Sequence, residues 1–211
     1  MRMFSTFSKA LPLHCLLNME KKHRRSLRLK DYDYSQAGAY FITICTKGRK
    51  CYLGEICNER MNLSDIGNIV KECWLKIPEH FGNVKIDEWV IMPNHVHGII
   101  IIIESVGTDY NLSLQRKTRQ NRFQNITPKS LSYIIATFKS AVSRQINRIG
   151  TGNDFAWQSR FYDHIIRNEN ELNRIRQYIQ NNPLKWELDR ENPISKNFNL
   201  DHDTYWKEVY E

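Results

Sequence analysis

The feature that most constrains the fold is an apolar run from His95 to Ile103, which reads His-Val-His-Gly and then only isoleucine. β-Branched side chains favour strands, and a run without polar alternation is typical of a central strand buried on both faces. Residues 84–92 alternate well enough for a second strand, and Pro93-Asn94 supplies a tight turn between the two. The chain is therefore predicted to have a β-hairpin at the centre of a sheet.

The remaining elements are predicted from hydrophobic periodicity and turn residues. Further strands are expected over 39–46 and about 160–166, with a short return strand at 51–56. Helices are expected from Asn62 to Pro78, from Thr127-Pro128 to Gly150, and from Asn168 to Pro183. This order predicts an α+β sandwich of the ferredoxin-like or RRM-like kind, with a central antiparallel sheet and helices mainly on one face.

The chain is expected to form one structured domain with two appendages. The domain spans residues 31–186 and contains a basic loop at 105–126. Residues 1–30 are predicted to be an N-terminal arm that is either flexible or a mis-assigned start, since Met19 opens a plausible shorter protein. Residues 187–211 form a C-terminal tail, for which packing on the core and a role in a dimer are both open.

Charge and cysteine content narrow the class of protein. Lys and Arg number 31 against 23 Asp and Glu, a net charge of +8, which favours nucleic acid first and an anionic membrane surface second as partner. No apolar run is long enough to span a membrane. The five cysteines are Cys15, Cys45, Cys51, Cys57 and Cys73; an odd number without a CxxC pair predicts reduced thiols in a cytoplasmic protein.

Two histidines at the start of the central strand are the strongest candidate for chemistry. Residues two apart on a strand point to the same face, so His95 and His97 can present two imidazoles to one ion. Imidazole suits borderline divalent metals, and a metal with open positions polarises a phosphoryl oxygen. The alternative is that both histidines only pack or hydrogen-bond at the end of the sheet.

A tyrosine on the last predicted helix is the second candidate. Tyr178 and Asn182 are four residues apart and share a helix face. A phenol has an ordinary pKa of about 10 and needs a base or a metal-polarised phosphate to attack productively. Judged by its helix alone, Tyr178 is an ordinary residue at the boundary of the apolar stripe.

Four segments, taken in order, carry a family resemblance. They read YFITICTKGRK, WVIMPNHVHGIIII, LSYIIATFKSAVSRQIN and FAWQSRFYDHIIRNENELNRIRQYIQNNPLKW. In this order and at these separations, from about Asp31 to Trp186, they resemble the single-tyrosine transposases of the IS200-like group. The closer resemblance is to the subgroup called REP-associated tyrosine transposases.

The resemblance implies an HUH nuclease with a metal-dependent mechanism. It assigns His95 and His97 to a Mg²⁺ or Mn²⁺ ion, Tyr178 as the nucleophile and Asn182 as a third ligand, with Asn181 adjacent as a rival for that place. The implied reaction cuts and rejoins single-stranded or hairpin DNA through a 5′-phosphotyrosine link. A homodimer is expected, and a monomer is also compatible with the REP-associated relatives.

Basic residues near these motifs are expected to contact DNA, with solvated surface charge as the alternative for each. They are Lys47, Arg49, Lys50, Arg116, Lys117, Arg119, Arg122 and Arg160.

Three alternatives stay open. Tyr162, close to His164, is a rival nucleophile. A DNA-binding module of the same fold that no longer cuts, acting on repeated hairpins, is one other function. An unrelated metallohydrolase, in which the two histidines activate water, is another.

Overall fold

The architecture is a four-stranded antiparallel sheet with helices on both faces and a separate two-stranded ribbon. A computed structural model describes residues 29, 32–104, 128–150 and 154–195. The strands are β1 Gly38–Cys45, β2 Gly54–Cys57, β3 Arg60–Leu63, β4 Val84–Ile91, β5 His95–Ile102 and β6 Tyr162–Ile166. The helices are α1 Asp65–Leu75, α2 Ile77–His80, α3 Leu131–Ile149 and α4 Glu169–Asn181, with 3-10 turns at Lys47–Arg49 and Pro183–Leu188.

The strand order β4-β5-β1-β6 confirms the predicted fold class. β4 and β5 form the predicted hairpin, and β5 pairs with β1 along its whole length. With β5 and β1 in the middle, Ile99, Ile100 and Ile102 of the isoleucine run are buried, whereas Ile103 at its end is exposed. The order places the first and third long strands side by side, as expected for a ferredoxin-like sandwich.

The two faces of the sheet are covered by different helices. α1 and α3 pack on one face around the side chains of Ile42, Ile44 and Ile100. α4 packs on the other face, where Ile175 and Ile179 join Phe41 and Ile99. Because side chains alternate along a strand, His95 and His97 share their face with Ile99. The helix that carries Tyr178 therefore covers the face on which both histidines lie.

Some predicted boundaries are shifted, for local reasons. Ser64 caps α1 and accepts a hydrogen bond from the Gly67 N–H, whereas the predicted start, Asn62, lies in β3. Ser130 caps α3. Pro78 does not end the helical region but stands in the first turn of α2, where its missing N–H costs nothing.

Two predicted helix ends are confirmed. Asn168 caps α4 by accepting a hydrogen bond from the Glu171 N–H. Gly150 ends α3 in the left-handed conformation that glycine adopts without strain.

The predicted return strand at 51–56 is replaced by a ribbon. Gly54–Cys57 pairs with Arg60–Leu63 rather than with the main sheet. The turn residues Asn58 and Glu59 both have positive φ, as a two-residue hairpin of this twist requires. Leu53 is fully buried and donates its N–H to the Pro93 carbonyl, which ties the ribbon to the turn before His95.

Parts of the prediction lie outside the described residues: the arm apart from Leu29, the basic loop and the tail beyond 195. Across the described ranges, no helix is both long and apolar enough to cross a membrane. The described cysteines, Cys45, Cys51, Cys57 and Cys73, are free thiols.

Gly98 is expected to be intolerant of a side chain. A Cβ at this position would collide with the indole of Trp74, which crosses β5 from α1. We expect Gly98→Ala to lower the free energy of unfolding by about 1–3 kcal/mol, the usual cost of overpacking a core. Urea denaturation measures this. Gly82→Ala is the control, since open space surrounds that site; equal stability of the two variants would contradict the packing described.

Candidate metal and nucleophile site

Two buried imidazoles form the centre of the site. The exposed fractions of His95 and His97 are 0% and 1%, and their ring centroids lie 4.4 Å apart. The Nδ1 atom of His95 is 2.8 Å from Asn94 Oδ1, and that of His97 is 2.8 Å from Thr43 Oγ1. Both Nδ1 atoms are thus engaged, which leaves both Nε2 atoms to face the site.

Asn94 determines which nitrogen of His95 carries the proton. Its Nδ2 donates to the carbonyl oxygens of Arg49 at 3.1 Å and Glu191 at 2.8 Å. The carboxamide oxygen must then be the atom that faces His95, and it accepts the Nδ1 proton. The Nε2 of His95 consequently presents a lone pair, the form in which imidazole binds a metal.

Tyr178 reaches the histidine pair from α4. Its hydroxyl lies 3.3 Å from His97 Nε2, and its ring is edge-on to Phe41 at 6.1 Å. Arg176 anchors the helix to β4 by a bidentate ion pair with Asp87. The Nε–Oδ1 distance is 2.9 Å and the Nη2–Oδ2 distance is 2.7 Å. The tyrosine is half-buried.

Two oxygen ligands are available beside the histidines. Asn182 and Asp189 are both 2% exposed. Among the described residues, the buried atoms that lack a hydrogen-bond partner include His95 Nε2, Asn182 Oδ1 and Asp189 Oδ2. Unpartnered buried polar atoms are costly, and a divalent cation between His95 Nε2 and Asp189 Oδ2, which lie 3.9 Å apart, would satisfy both of them. Oxygen ligands suit Mg²⁺ and Mn²⁺, and imidazole suits borderline transition metals, so of the two implied ions this mixed set of ligands fits Mn²⁺ better.

Asp189 is the functional candidate that sequence reasoning missed. Potential ligand atoms of His95, His97 and Asp189 all lie within 4.8 Å of one another. Asp189 stands just after the 3-10 turn that follows α4, in the predicted tail. Asn181, the alternative third ligand that the sequence suggests, is exposed and lies outside this buried cluster.

Burial controls the protonation of the cluster. Desolvation lowers the pKa of His95 to about 4 and that of His97 to about 3, the latter helped by the neighbouring His95. Desolvation raises the pKa of Asp189, against the opposing effects of His97 and of the hydrogen bond from the Glu191 N–H. At neutral pH both imidazoles are therefore uncharged, as metal ligands must be.

The buried histidines predict acid sensitivity of the metal-free protein. Their pKa values are lowered on folding, so between pH 6.5 and about 4 the unfolded chain binds more protons than the folded one. Stability should be unaffected by these groups above pH 6.5 and fall as the pH drops through this window. Urea titrations in EDTA at several pH values measure it. His97→Asn should show a shallower dependence, and an identical slope would contradict the burial described.

The predicted DNA-contacting residues fall into three groups. Lys47 and Lys50 are exposed beside the first 3-10 turn, and Arg160 is exposed before β6. Arg49 is half-buried, and its Nε lies 2.6 Å from Glu191 Oε2, so this guanidinium already holds an ion pair. The loop residues Arg116, Lys117, Arg119 and Arg122 lie outside the described residues. DNA contact by all of them stays a prediction.

The rival nucleophile occupies a different place. Tyr162 on β6 pairs in register with Thr43 and packs edge-on against Phe41, with ring centroids 6.3 Å apart. His164 lies 2.7 Å from the Glu171 carboxylate, which also accepts the Arg167 N–H. These contacts give His164 a role in anchoring the start of α4.

Comparisons with known proteins agree with the motifs. No family model matches the chain. An uncharacterised protein of Haemophilus influenzae is 48% identical over 168 residues, 80% of this chain and 92% of that protein. A second H. influenzae protein, named "Putative REP-associated tyrosine transposase", is 28% identical over 158 residues, 72% of this chain and 74% of that protein.

Two solved structures are similar at low identity. A REP-associated tyrosine transposase bound to a REP hairpin is 19% identical, with a TM-score of 0.46 over 75% of this chain and 73% of that one. A "putative transposase" of Deinococcus radiodurans is 17% identical, with a TM-score of 0.39 over 73% of this chain and 95% of that one. By sequence, the chain is thus similar to a relative named as a REP-associated tyrosine transposase, the group that its ordered motifs resemble.

Proposed function

We propose that this protein is a metal-dependent single-strand DNA endonuclease and strand transferase that acts through Tyr178. The observation that carries the proposal is the 3.3 Å approach of the Tyr178 hydroxyl to His97 Nε2, at a buried cluster of unpartnered ligand atoms. Tyr178, His95, His97 and Asn182 all come from one chain, which supports a site complete in a single subunit. A homodimer that brings two such sites together remains part of the proposal.

A bound Mg²⁺ or Mn²⁺, held by His95, His97 and Asn182, would polarise the scissile phosphate and offset the charge that develops on its oxygens. Tyr178 Oη forms the new bond to phosphorus and the bond from phosphorus to the 3′ oxygen breaks, so the strand on the 3′ side of the cut stays on the tyrosine through its 5′ phosphate. The phenolic proton is released as the departing 3′ oxygen takes one up. Attack by a 3′ hydroxyl on the phosphotyrosine reverses the step and rejoins DNA.

The protein's own groups prepare this attack. α4 holds Tyr178 over the histidines through Arg176 and Asp87, so the nucleophile is positioned before DNA binds. The ring of Tyr178 packs against the buried apolar cluster that contains Phe41 and Ile179, which limits its motion. Residues 31–186 form the catalytic domain in this proposal, and the exposed Lys47, Lys50 and Arg160 supply phosphate contacts.

An adduct assay tests the proposal. Hairpins from the DNA flanking the gene, each with a single-stranded extension, are labelled separately at both ends and incubated with the protein in Mn²⁺ or in EDTA. We expect a denaturation-resistant protein–DNA adduct that carries the 3′ label, and a released 5′-labelled strand, in Mn²⁺ only.

The same assay separates the other functions. Hairpin binding without cleavage would favour a silent DNA-binding module. Cleavage without an adduct would favour a metallohydrolase in which water is the nucleophile. Either result would contradict the proposal.

A further inference from the structure

We propose that Asp189 is a further ligand of the active-site metal, so that the segment after the last helix is part of the catalytic centre. The inference rests on the metal site of the proposed function. It extends the catalytic domain beyond residue 186 to at least residue 195, and it makes binding of the metal and docking of this segment mutually dependent.

The distances suit a shared ion. Asp189 Oδ2 lies 3.9 Å from His95 Nε2. Two ligands of one Mg²⁺ at about 2.1 Å in an octahedron are separated by about 3.0 Å when adjacent and about 4.2 Å when opposite. The observed separation does not exceed the larger of these values, so one ion can reach both atoms after a small adjustment of the side chains.

The hydrogen-bond pattern calls for a cation between them. Asn94 takes the Nδ1 proton of His95, so Nε2 presents a lone pair toward the Asp189 carboxylate. Two acceptors then face each other in a buried site, and neither Nε2 nor Oδ2 has another partner. A metal ion resolves this conflict. A proton shared between the two groups is the alternative, and it is an outcome of the test below.

The carboxylate is held rigidly in place. Asp189 Oδ1 accepts the Glu191 N–H at 2.6 Å. Glu191 in turn binds Arg49 through its side chain and Asn94 through its carbonyl oxygen. Trp186 lies over His95, with ring centroids 6.1 Å apart. The segment is thus anchored to the turns before β2 and β5, which aims Asp189 at the histidines.

Metal binding by Asp189→Asn tests the inference without reference to DNA cleavage. We expect the Mn²⁺ affinity, measured by calorimetry and by the EPR signal of free Mn²⁺, to fall at least about tenfold. Glu187→Gln is the matched control, because Glu187 is an exposed carboxylate of the same segment; its affinity should equal that of the original protein. An Asp189→Asn affinity within about twofold of the original would overturn the inference and favour the shared proton.

A second variant separates ligation from folding. Asp189→Cys should acquire a preference for Cd²⁺ over Mn²⁺, with a sulfur-to-metal absorption band, because a thiolate is a soft ligand. Glu187→Cys, with an exposed thiol in the same segment, should not gain tight Cd²⁺ binding. If both cysteine variants respond alike, Asp189 is not in the metal's coordination sphere.

The two proposals fail in different ways. If the original protein binds Mn²⁺ in an Asp189-dependent manner but forms no adduct with DNA, the metal site stands and the nuclease proposal fails. If the adduct forms and Asp189→Asn binds Mn²⁺ normally, only the present inference fails.

Discussion

Tyr178→Phe is expected to abolish the covalent DNA adduct while the protein still folds and binds Mn²⁺. The substitution removes only the hydroxyl, and the ring keeps its contacts with Phe41 and His97. Since the phenolic oxygen is the atom that bonds to phosphorus, no other group of α4 can replace it. Cleavage should fall by at least about 10³-fold, comparable with loss of a nucleophile in other enzymes.

Tyr162→Phe is the matched control, because Tyr162 also packs on Phe41 but is carried by β6. It should retain adduct formation within a few-fold. Normal cleavage by Tyr178→Phe, or loss of the adduct in Tyr162→Phe alone, would contradict the assignment of the nucleophile to α4.

Removal of one imidazole should reduce adduct formation nearly as much as removal of the Tyr178 hydroxyl. In His97→Asn, the amide nitrogen can keep the contact with Thr43 Oγ1 that Nδ1 makes, while the Nε2 ligand atom is lost. We expect Mn²⁺ affinity to fall by at least about 100-fold and adduct formation to become undetectable at micromolar Mn²⁺. Calorimetry and the adduct assay measure the two effects separately.

Thr43→Val gives the graded comparison. It leaves both imidazoles in place and removes only the hydroxyl that orients His97. A loss of roughly 10–100-fold in metal affinity is expected, the usual range for an outer-sphere partner of a ligand. Metal affinity unchanged in His97→Asn would contradict a metal centre at β5, whatever the adduct assay shows.

The central hairpin of the sheet and the shared face of the two histidines can be predicted from local sequence patterns. The isoleucine run after His97 has β propensity and no polar alternation, and Pro93-Asn94 permits a tight turn, so a buried hairpin is the simple solution. Alternation along β5 then puts both imidazoles on one face. The four-residue spacing of Tyr178 and Asn182 on a helix likewise gives a shared face.

The position of Asp189 in the site cannot be predicted from local sequence patterns. Asp189 lies in an irregular segment after Pro183, where neither helical nor strand periodicity predicts the direction of a side chain. Its position depends on contacts of Glu191 with Arg49 and Asn94, which are distant along the chain. The sequence does not predict β3 either, because Arg60–Leu63 is only four residues long, half of them polar, and pairs with a neighbouring segment of the chain.

The role of Tyr178 is tested most directly by mapping the DNA-linked residue. The adduct is digested with nuclease and trypsin, and the peptide that retains a nucleotide is sequenced by mass spectrometry. The two candidate tyrosines separate cleanly, because Arg176 and Lys185 bound one peptide and Arg160 and Arg167 bound the other. We predict a nucleotide on Tyr178 in the peptide 177–185, formed only in the presence of Mg²⁺ or Mn²⁺. A nucleotide on Tyr162, or an adduct that forms equally in EDTA, would contradict the mechanism.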